Sequence, residues 1–193
     1  KQAGFKTQVL IKDVKQFYKD QNKKKETDKT TQVNTAGCGF AAPDYPVPSH
    51  FALGSYAGYF TYAEMLALLD SMAAQFPNLI TLKQPIGAGL TIENRPVYYV
   101  KISDNPTVNE TEPEVLYTAV HHAREPGGMS QMIYYMYYLL EHYSTDADIQ
   151  ALVDNTEMYF VPCVNPDGYI ENETTDPAGG GLWRKNKRDN LDG

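Results

Sequence analysis

Apolar residues recur at helical spacing between residues 65 and 76. They share one face of an α-helix and are Met65, Leu66, Leu68, Leu69, Met72 and Phe76. Thr61 and Glu64 precede this stripe with the spacing of a capping box, in which each side chain accepts a hydrogen bond from the other residue's backbone N–H. Pro77 and Asn78 follow the stripe and disfavour its continuation. We therefore predict an amphipathic helix in this segment.

Short runs of apolar and β-branched residues predict strands after that helix. The runs are 79–86, 96–102, 115–120 and 158–164. The last two (VLYTAV and MYFVPCV) are apolar almost throughout, which is the pattern of strands buried on both faces. Helical patterns lie between them, at about 130–143 and 148–153. Strands interleaved with helices predict an α/β domain, in which a mixed or mostly parallel β-sheet is flanked by helices.

Composition divides the chain into three parts. Residues 11–30 are rich in lysine, and the segment 29–50 is polar and then rich in glycine and proline. Such a segment, with no periodic apolar face, is typical of a linker. We therefore place a short N-terminal region at 1–28, a linker at 29–50 and the main domain at 51–193. The lysine run is interpreted as a solvated helix face rather than a binding patch.

The charge balance excludes one broad class of function. The net charge is −7, from 17 Lys and Arg against 24 Asp and Glu. This argues against nucleic-acid binding as the main function, because phosphate contacts need a basic surface. No apolar run reaches the length of a membrane-spanning helix. The two cysteines, Cys38 and Cys163, fit either one disulfide or two free thiols.

A candidate for metal chemistry directly follows the run 115–120, at residues 121–125 (HHARE). A neutral imidazole and a carboxylate three residues apart, as in His122 and Glu125, can face one cation if the backbone turns after the strand. Zinc accepts such ligands, and α/β sheets place catalytic groups at strand ends. The spacing alone equally fits a surface histidine near a glutamate. The following 126–128 (PGG) favours the metal interpretation, because it would let the backbone turn tightly before the next helix.

Two further motifs lie downstream, at 164–169 (VNPDGY) and 182–186 (LWRKN). Taken singly, the first fits an ordinary turn and the second a solvated basic loop. Together with HHARE, and in this order, they resemble the zinc carboxypeptidase family typified by pancreatic carboxypeptidase A. The resemblance extends from about Ser55 to Asn186, and 89–103 (GLTIENRPVYYVKIS) is similar to an early hairpin of that family.

The resemblance implies roles for individual residues. His122 and Glu125 match two Zn²⁺ ligands of the family, with His121 ranked well below His122. Arg124 matches an arginine that contacts substrate residues further from the scissile bond. Arg184 matches the arginine that polarises the scissile carbonyl and stabilises the oxyanion. The implied activity is zinc-dependent hydrolysis of C-terminal residues from peptides, so the implied partners are the C-termini of peptide or protein substrates.

Other features of the family are not matched. Pro126 stands where a tryptophan often follows the glutamate. Motifs are missing for the third zinc ligand (a histidine), the Asn-Arg pair that grips the terminal carboxylate, a tyrosine and the general-base glutamate. We therefore expect a catalytic domain truncated at its C-terminus, whose site needs the remaining part of its own chain. The alternatives are a catalytically incomplete fragment, a non-catalytic binding member of the fold, or a related zinc amidase or peptidase.

The N-terminal region carries a shorter resemblance. Residues 4–14 (GFKTQVLIKDV) look like the last strand of an activation pro-segment, and the alternative is an unrelated strand and helix. The family resemblance implies a zymogen that is secreted or periplasmic, although this sequence shows no signal peptide. Two Asn-x-Thr triplets, beginning at Asn109 and Asn172, are acceptor motifs for N-glycosylation.

Overall fold

The computed structural model describes residues 12, 13, 16 and 46–188. The chain divides into two units, Lys1–Asp44 and Tyr45–Gly193. Most of the predicted pro-segment at 1–28 and of the predicted linker at 29–50 lies outside the described residues, as does Cys38. The architecture below is that of the second unit.

Helix α1 (Tyr62–Gln75) confirms the prediction from the apolar stripe. Thr61 is its N-cap, and both hydrogen bonds of the capping box are present. The helix buries Met65, Leu69 and Met72. It ends at Gln75, and the N–H of the following residue, Phe76, donates to the Met72 carbonyl.

Four strands form one mixed sheet in the order β1-β2-β4-β3. They are β1 (Gln84–Pro85), β2 (Tyr98–Ile102), β3 (Glu114–Thr118) and β4 (Glu157–Val161). The β1–β2 and β2–β4 pairs are antiparallel, whereas β3 and β4 are parallel. The prediction of a mixed sheet is confirmed. The predicted strand at 79–86 is shorter than expected, because only β1 and an isolated bridge between Ile80 and Ile102 pair with β2.

Strand β3 corrects the expectation that the run 115–120 is buried on both faces, although Ala119 and Val120, which follow the strand, are buried. All of its residues except Tyr117 are exposed, and Leu116 keeps 65% of its surface accessible. Within residues 46–188, β3 pairs with β4 alone and forms an edge of the sheet. The strand is apolar, but no other element within residues 46–188 covers it. The sequence pattern of the strand cannot show whether a covering element is present.

Two helices connect the parallel strands, α2 (Gly127–His142) and α3 (Ala147–Val153). Parallel strands require such a crossover, because a hairpin can join only antiparallel neighbours. Helix α2 contributes most to the core, through Met129, Met132, Ile133, Met136, Tyr137, Leu139 and Leu140. These side chains pack with alternate residues of β2 and β4, which are Val100, Ile102, Met158 and Phe160.

Helix α4 (Pro166–Thr175) begins at the motif for which a turn was the ordinary interpretation. Asn165 caps it, since its side-chain oxygen accepts from the Gly168 N–H at 3.1 Å. Pro166 occupies the first helical turn, where a missing N–H does no harm. The turn interpretation is therefore wrong, and NPDG begins a helix.

A buried ion pair joins the start of β4 to β2. The Lys101 ammonium lies 2.8 Å from the Glu157 carboxylate, and their side chains are 5% and 0% exposed. The Glu110 N–H and the Tyr159 hydroxyl each donate to the same carboxylate at 2.9 Å. The hydrogen bond from Lys101 lowers the pKa of Glu157 and outweighs the opposing effect of burial.

Cys163 is a buried free thiol, and burial raises its pKa. Of the two alternatives for the cysteines, the free thiol therefore holds for this residue.

No helix within residues 46–188 combines the length and apolarity needed to cross a bilayer.

Candidate metal centre

A strained residue begins the turn that carries the HHARE motif. Val120 has φ +51°, in the left-handed region that β-branched residues rarely enter. Backbone hydrogen bonds hold it there, since the Val164 N–H bonds to the Ala119 carbonyl at 3.0 Å and the Asn165 N–H to the Val120 carbonyl at 3.1 Å. The chain thus changes direction directly before His121.

This arrangement corrects the role expected for 126–128. Pro126 is the N-cap of α2, and Gly127 and Gly128 are its first two residues. Neither glycine has a positive φ, so they do not form the tight turn. The turn instead closes through the Glu125 N–H, which bonds to the His122 carbonyl at 3.1 Å.

The turn brings His122 and Glu125 together. The His122 Nδ1 and the Glu125 Oε2 atoms are 3.1 Å apart. Two ligands about 2.0–2.1 Å from one tetrahedral zinc ion would be about 3.3–3.4 Å apart, so this spacing fits a shared ion. The side chains are 41% and 59% exposed, and so open a pair contributes little to folding stability. The same distance is that of an ordinary hydrogen bond, so the geometry permits ligation of an ion by this pair.

Arg184 approaches the same nitrogen from the segment after α4. Its Nη2 atom lies 3.3 Å from the His122 Nδ1 atom. Its backbone carbonyl accepts a hydrogen bond from the Ala123 N–H at 3.1 Å, which ties this segment to the HHARE turn. An imidazole, a carboxylate and a guanidinium group therefore meet at one point.

His121 and Arg124, the other two site candidates, take no part in the contact between His122, Glu125 and Arg184. The His121 side chain lines the cavities at the end of β3, together with Thr118. Arg124 lines a separate cavity of about 170 Å³, with Tyr59 and Pro126. Its predicted contact with substrate stays a prediction.

A cavity of about 470 Å³ is larger than the one at Arg124. Its wall includes His121, His122, Arg184 and Lys185. Asp167 also borders it, but this carboxylate accepts hydrogen bonds from Thr91, the Glu93 N–H and Arg95. Burial by itself would raise the pKa of Asp167, but these bonds hold it below its ordinary value. The cavity is therefore mainly cationic, although the whole chain is acidic.

Sequence reasoning missed two asparagines that contact the site. The Asn165 amide donates to the carbonyls of Lys185 at 3.0 Å and His121 at 3.4 Å. The Asn172 side chain exchanges two hydrogen bonds of 2.8 Å with the backbone of Trp183. The pair Asn165-Pro166 was a sequence signal for the capping role of Asn165, because an asparagine followed by proline is typical of a helix start.

A third ligand for His122 and Glu125 does not occur within residues 46–188. The group of three potential ligands found there comprises Asp104, Glu110 and Glu112. These carboxylates follow β2, near the residues where β3 and β4 begin, so they lie at the opposite end of the sheet from the HHARE turn. They cannot complete the candidate metal centre.

Comparison with known proteins identifies similar chains. A model of the zinc carboxypeptidase family matches residues 65–193. The zinc carboxypeptidase of Saccharothrix mutabilis subsp. capreolus is 36% identical over 137 residues, which cover 70% of this chain and 30% of that protein. The inactive metallocarboxypeptidase ECM14 of Ajellomyces dermatitidis is 32% identical over 120 residues, covering 61% of this chain and 19% of that one.

Among solved structures, the carboxypeptidase A of Helicoverpa armigera superposes with a TM-score of 0.58 at 28% identity. The match covers 72% of this chain and 31% of that protein. The chain therefore spans about a third or less of the length of these three proteins. The fold comparison agrees with the mixed sheet and flanking helices described above.

Proposed function

Because this chain belongs to the zinc carboxypeptidase family, we propose that the protein containing it is a zinc-dependent carboxypeptidase that releases C-terminal residues from peptides. The observation that carries the proposal is the convergence of three side chains on one point. The His122 Nδ1 atom lies 3.1 Å from the Glu125 carboxylate and 3.3 Å from the Arg184 guanidinium.

His122 and Glu125 are the residues that would hold the zinc ion. Both offer donor atoms that zinc accepts, and their spacing suits a tetrahedral site. When bound, the ion would act as a Lewis acid towards the scissile carbonyl and lower the pKa of a water molecule. The exposed position of both side chains leaves room for substrate and for a further ligand.

Arg184 would stabilise the negative charge that develops on the scissile carbonyl oxygen. Its guanidinium is permanently charged and presents several N–H donors in a planar fork. It is held next to the two proposed metal ligands rather than on a free surface loop, because its backbone is bonded to Ala123. A fixed donor of this kind contributes more in the transition state than in the ground state.

The cationic cavity supports an anionic substrate group. Arg184 and Lys185 are exposed at its wall, and the charge of Asp167 is balanced by Arg95. Such a wall attracts a negatively charged end, as the C-terminal carboxylate of a peptide is. We therefore propose peptide or protein C-termini as the substrates.

The second candidate is a non-catalytic binding member of the same fold. The observation that favours it is the 32% identity with a relative described as inactive. In that case the HHARE turn would remain in place without turnover. A zinc amidase is the third alternative, and it would act on substrates that lack a free C-terminal carboxylate.

Peptide hydrolysis by the full-length protein decides between these candidates. The protein is stripped of metal and titrated with zinc, and release of the C-terminal residue is measured on a peptide and on its C-terminally amidated form. We expect zinc-dependent release from the free carboxylate form only. Equal cleavage of both forms indicates an amidase, whereas zinc binding without cleavage of either indicates the non-catalytic member.

Two ligand variants test the metal centre itself. Replacing His122 or Glu125 with alanine should abolish stoichiometric zinc binding, measured by calorimetry, together with turnover. His142→Ala is the matched control, because His142 bonds to the Tyr138 carbonyl on α2 and contributes nothing to the HHARE turn. Unchanged zinc affinity in both ligand variants would refute the proposed centre.

A secreted or periplasmic zymogen is part of the same proposal. It rests on the family assignment and on the pro-segment-like residues 4–14. Expression of the complete precursor, followed by N-terminal sequencing of the exported protein, tests it. An exported product whose N-terminus lies within the predicted linker at 29–50 supports activation by cleavage, and retention inside the cell contradicts the proposal.

A further inference from the structure

We infer that Asn172 and Asn165 are positioning residues that hold the segment 183–185 and so direct Arg184 towards His122. The inference rests on the proposed function, in which Arg184 acts on the substrate carbonyl. Neither asparagine contacts the His122–Glu125 pair through its side chain. Each would act through the backbone on one side of Arg184.

Asn172 holds the residue before Arg184. It is 1% exposed on the inner face of α4. Its amide nitrogen donates to the Trp183 carbonyl, and its amide oxygen accepts from the Trp183 N–H, both at 2.8 Å. This exchange of two bonds with one residue fixes the direction of the chain as it enters Arg184, much as a neighbouring strand would.

Asn165 holds the residue after Arg184. Its amide donates to the Lys185 carbonyl at 3.0 Å and to the His121 carbonyl at 3.4 Å, while its oxygen caps α4. One buried side chain thus connects three parts of the site, namely the HHARE turn, the start of α4 and the Arg184 segment. Buried amides of this kind are costly to leave unpaired, so the arrangement is strongly specified.

Two glycines allow the close approach that these bonds require. A Cβ atom at Gly168 would lie 2.5 Å from the Lys185 carbonyl oxygen. A Cβ atom at Gly181 would lie 2.4 Å from the Asn172 side-chain oxygen. The segment could not contact α4 at this distance with any other residue at these positions.

Three consecutive residues are therefore held by two different elements. Trp183 is bonded to α4, Lys185 is bonded to the residue that caps α4, and Arg184 itself is bonded to Ala123 in the HHARE turn. An exposed arginine side chain is long and flexible. Fixing its backbone on both sides limits where its guanidinium can reach, and that region includes the His122 Nδ1 atom.

The test is a double-mutant cycle in the zinc-loaded full-length protein. Asn172→Asp has nearly the same shape and still accepts from the Trp183 N–H, but it cannot donate to the Trp183 carbonyl. We expect kcat to fall by about 10- to 100-fold with little change in KM, as small misplacements of a catalytic group do. In an Arg184→Ala background, Asn172→Asp should change kcat less than about twofold, because its effect passes through Arg184.

Asn155→Asp is the control for the loss of an amide-to-carbonyl hydrogen bond, made at an exposed position. Asn155 also donates its amide to a backbone carbonyl, that of Ala151, but on α3 away from the site. It should leave kcat within about twofold of the wild-type value. An equal loss in this control, or a full additive loss in the Arg184→Ala background, would overturn the inference.

Asn165→Asp is the second variant, in case Asn172→Asp does not fold. A carboxylate still caps α4, and is favoured at a helix N-terminus, while donation to Lys185 is lost. The same cycle with Arg184→Ala should again show a loss that depends on the arginine. Loss of turnover that persists unchanged without Arg184 would contradict a positioning role.

A spectroscopic measurement separates this inference from the proposed activity. The Arg184 Nε–Hε resonance in a ¹H–¹⁵N spectrum, assigned by its absence in Arg184→Lys, reports the surroundings of the guanidinium without any substrate. It should shift in Asn172→Asp and Asn165→Asp but not in Asn155→Asp. If the wild type is inactive but the resonance shifts in these two variants, only the carboxypeptidase proposal is refuted. If the resonance does not shift in either variant, the positioning role of the two asparagines is refuted.

Discussion

Replacing Gly168 with alanine would force α4 and the Arg184 segment apart. The added Cβ atom would lie 2.5 Å from the Lys185 carbonyl oxygen, 2.8 Å from the Asn165 amide nitrogen and 2.9 Å from the Ala123 Cβ atom. Contacts shorter than 3.0 Å are essentially never seen for a Cβ atom. The carbonyl must therefore retreat by about 0.5 Å or more. Gly127→Ala is the matched control, since it also lies in the first turn of a helix and a Cβ there meets nothing within 4 Å.

The two substitutions share one energetic effect and differ in the other. Alanine in a helix is favoured over glycine by about 0.5–1 kcal/mol in both cases. Only Gly168→Ala adds the strain of overpacking, which costs about 1–3 kcal/mol. We expect Gly127→Ala to be slightly more stable than the wild type. Gly168→Ala should be less stable than Gly127→Ala by about 1–3 kcal/mol.

Urea denaturation and peptide hydrolysis measure the two consequences. With a slope of about 2 kcal/mol/M, the unfolding midpoints of the variants should differ by about 0.5–1.5 M. Turnover by Gly168→Ala should also fall, by about tenfold or more, because Arg184 moves with Lys185. If Gly168→Ala matches the stability and turnover of Gly127→Ala, the close approach does not constrain the site.

Three further predictions concern other residues. Lys101→Met leaves Glu157 buried without its partner and should lower the unfolding free energy by about 3–5 kcal/mol at pH 7. The pKa of Glu157 is lower in the folded than in the unfolded protein, so the ion pair stabilises the wild type above the unfolded pKa and loses this effect as the pH falls through the folded pKa. The difference in unfolding free energy between the wild type and Lys101→Met should therefore shrink in acid, as measured by urea unfolding at several pH values. Arg184→Ala should lower kcat by about 10²–10³ with a smaller effect on KM, and Arg184→Lys should recover only part of it, in steady-state peptide hydrolysis. In a host that glycosylates secreted proteins, intact mass should show a glycan at the exposed Asn109 that is lost in Asn109→Gln, but none at the buried Asn172.

The sequence predicts well what depends on neighbouring residues. Helix α1 follows from an apolar stripe and a capping box that lie within 16 residues, and both are present. The strands were located for the same reason, but the exposure of β3 depends on what packs against it. That is a tertiary property, and a run of apolar residues carries no information about it.

The same distinction applies to the site. His122 and Glu125 share one turn, so their spacing alone indicates that they can meet. The contact of Arg184 with His122 joins residues 62 positions apart, and only the family resemblance indicated it. The positive φ of Val120 had no sequence signal, because valine is among the residues least suited to that conformation.

The position of Asn165 before a proline also governs how the site ages chemically. An asparagine deamidates mainly when the backbone nitrogen of the next residue attacks its side-chain carbonyl, and asparagine is among the thermolabile residues for this reason. Pro166 has no N–H with which to form that cyclic intermediate. Asn172 precedes Glu173 within α4, where the helical backbone holds the attacking nitrogen in place. Both amides that bond to the Arg184 segment should therefore remain intact through prolonged storage or heating.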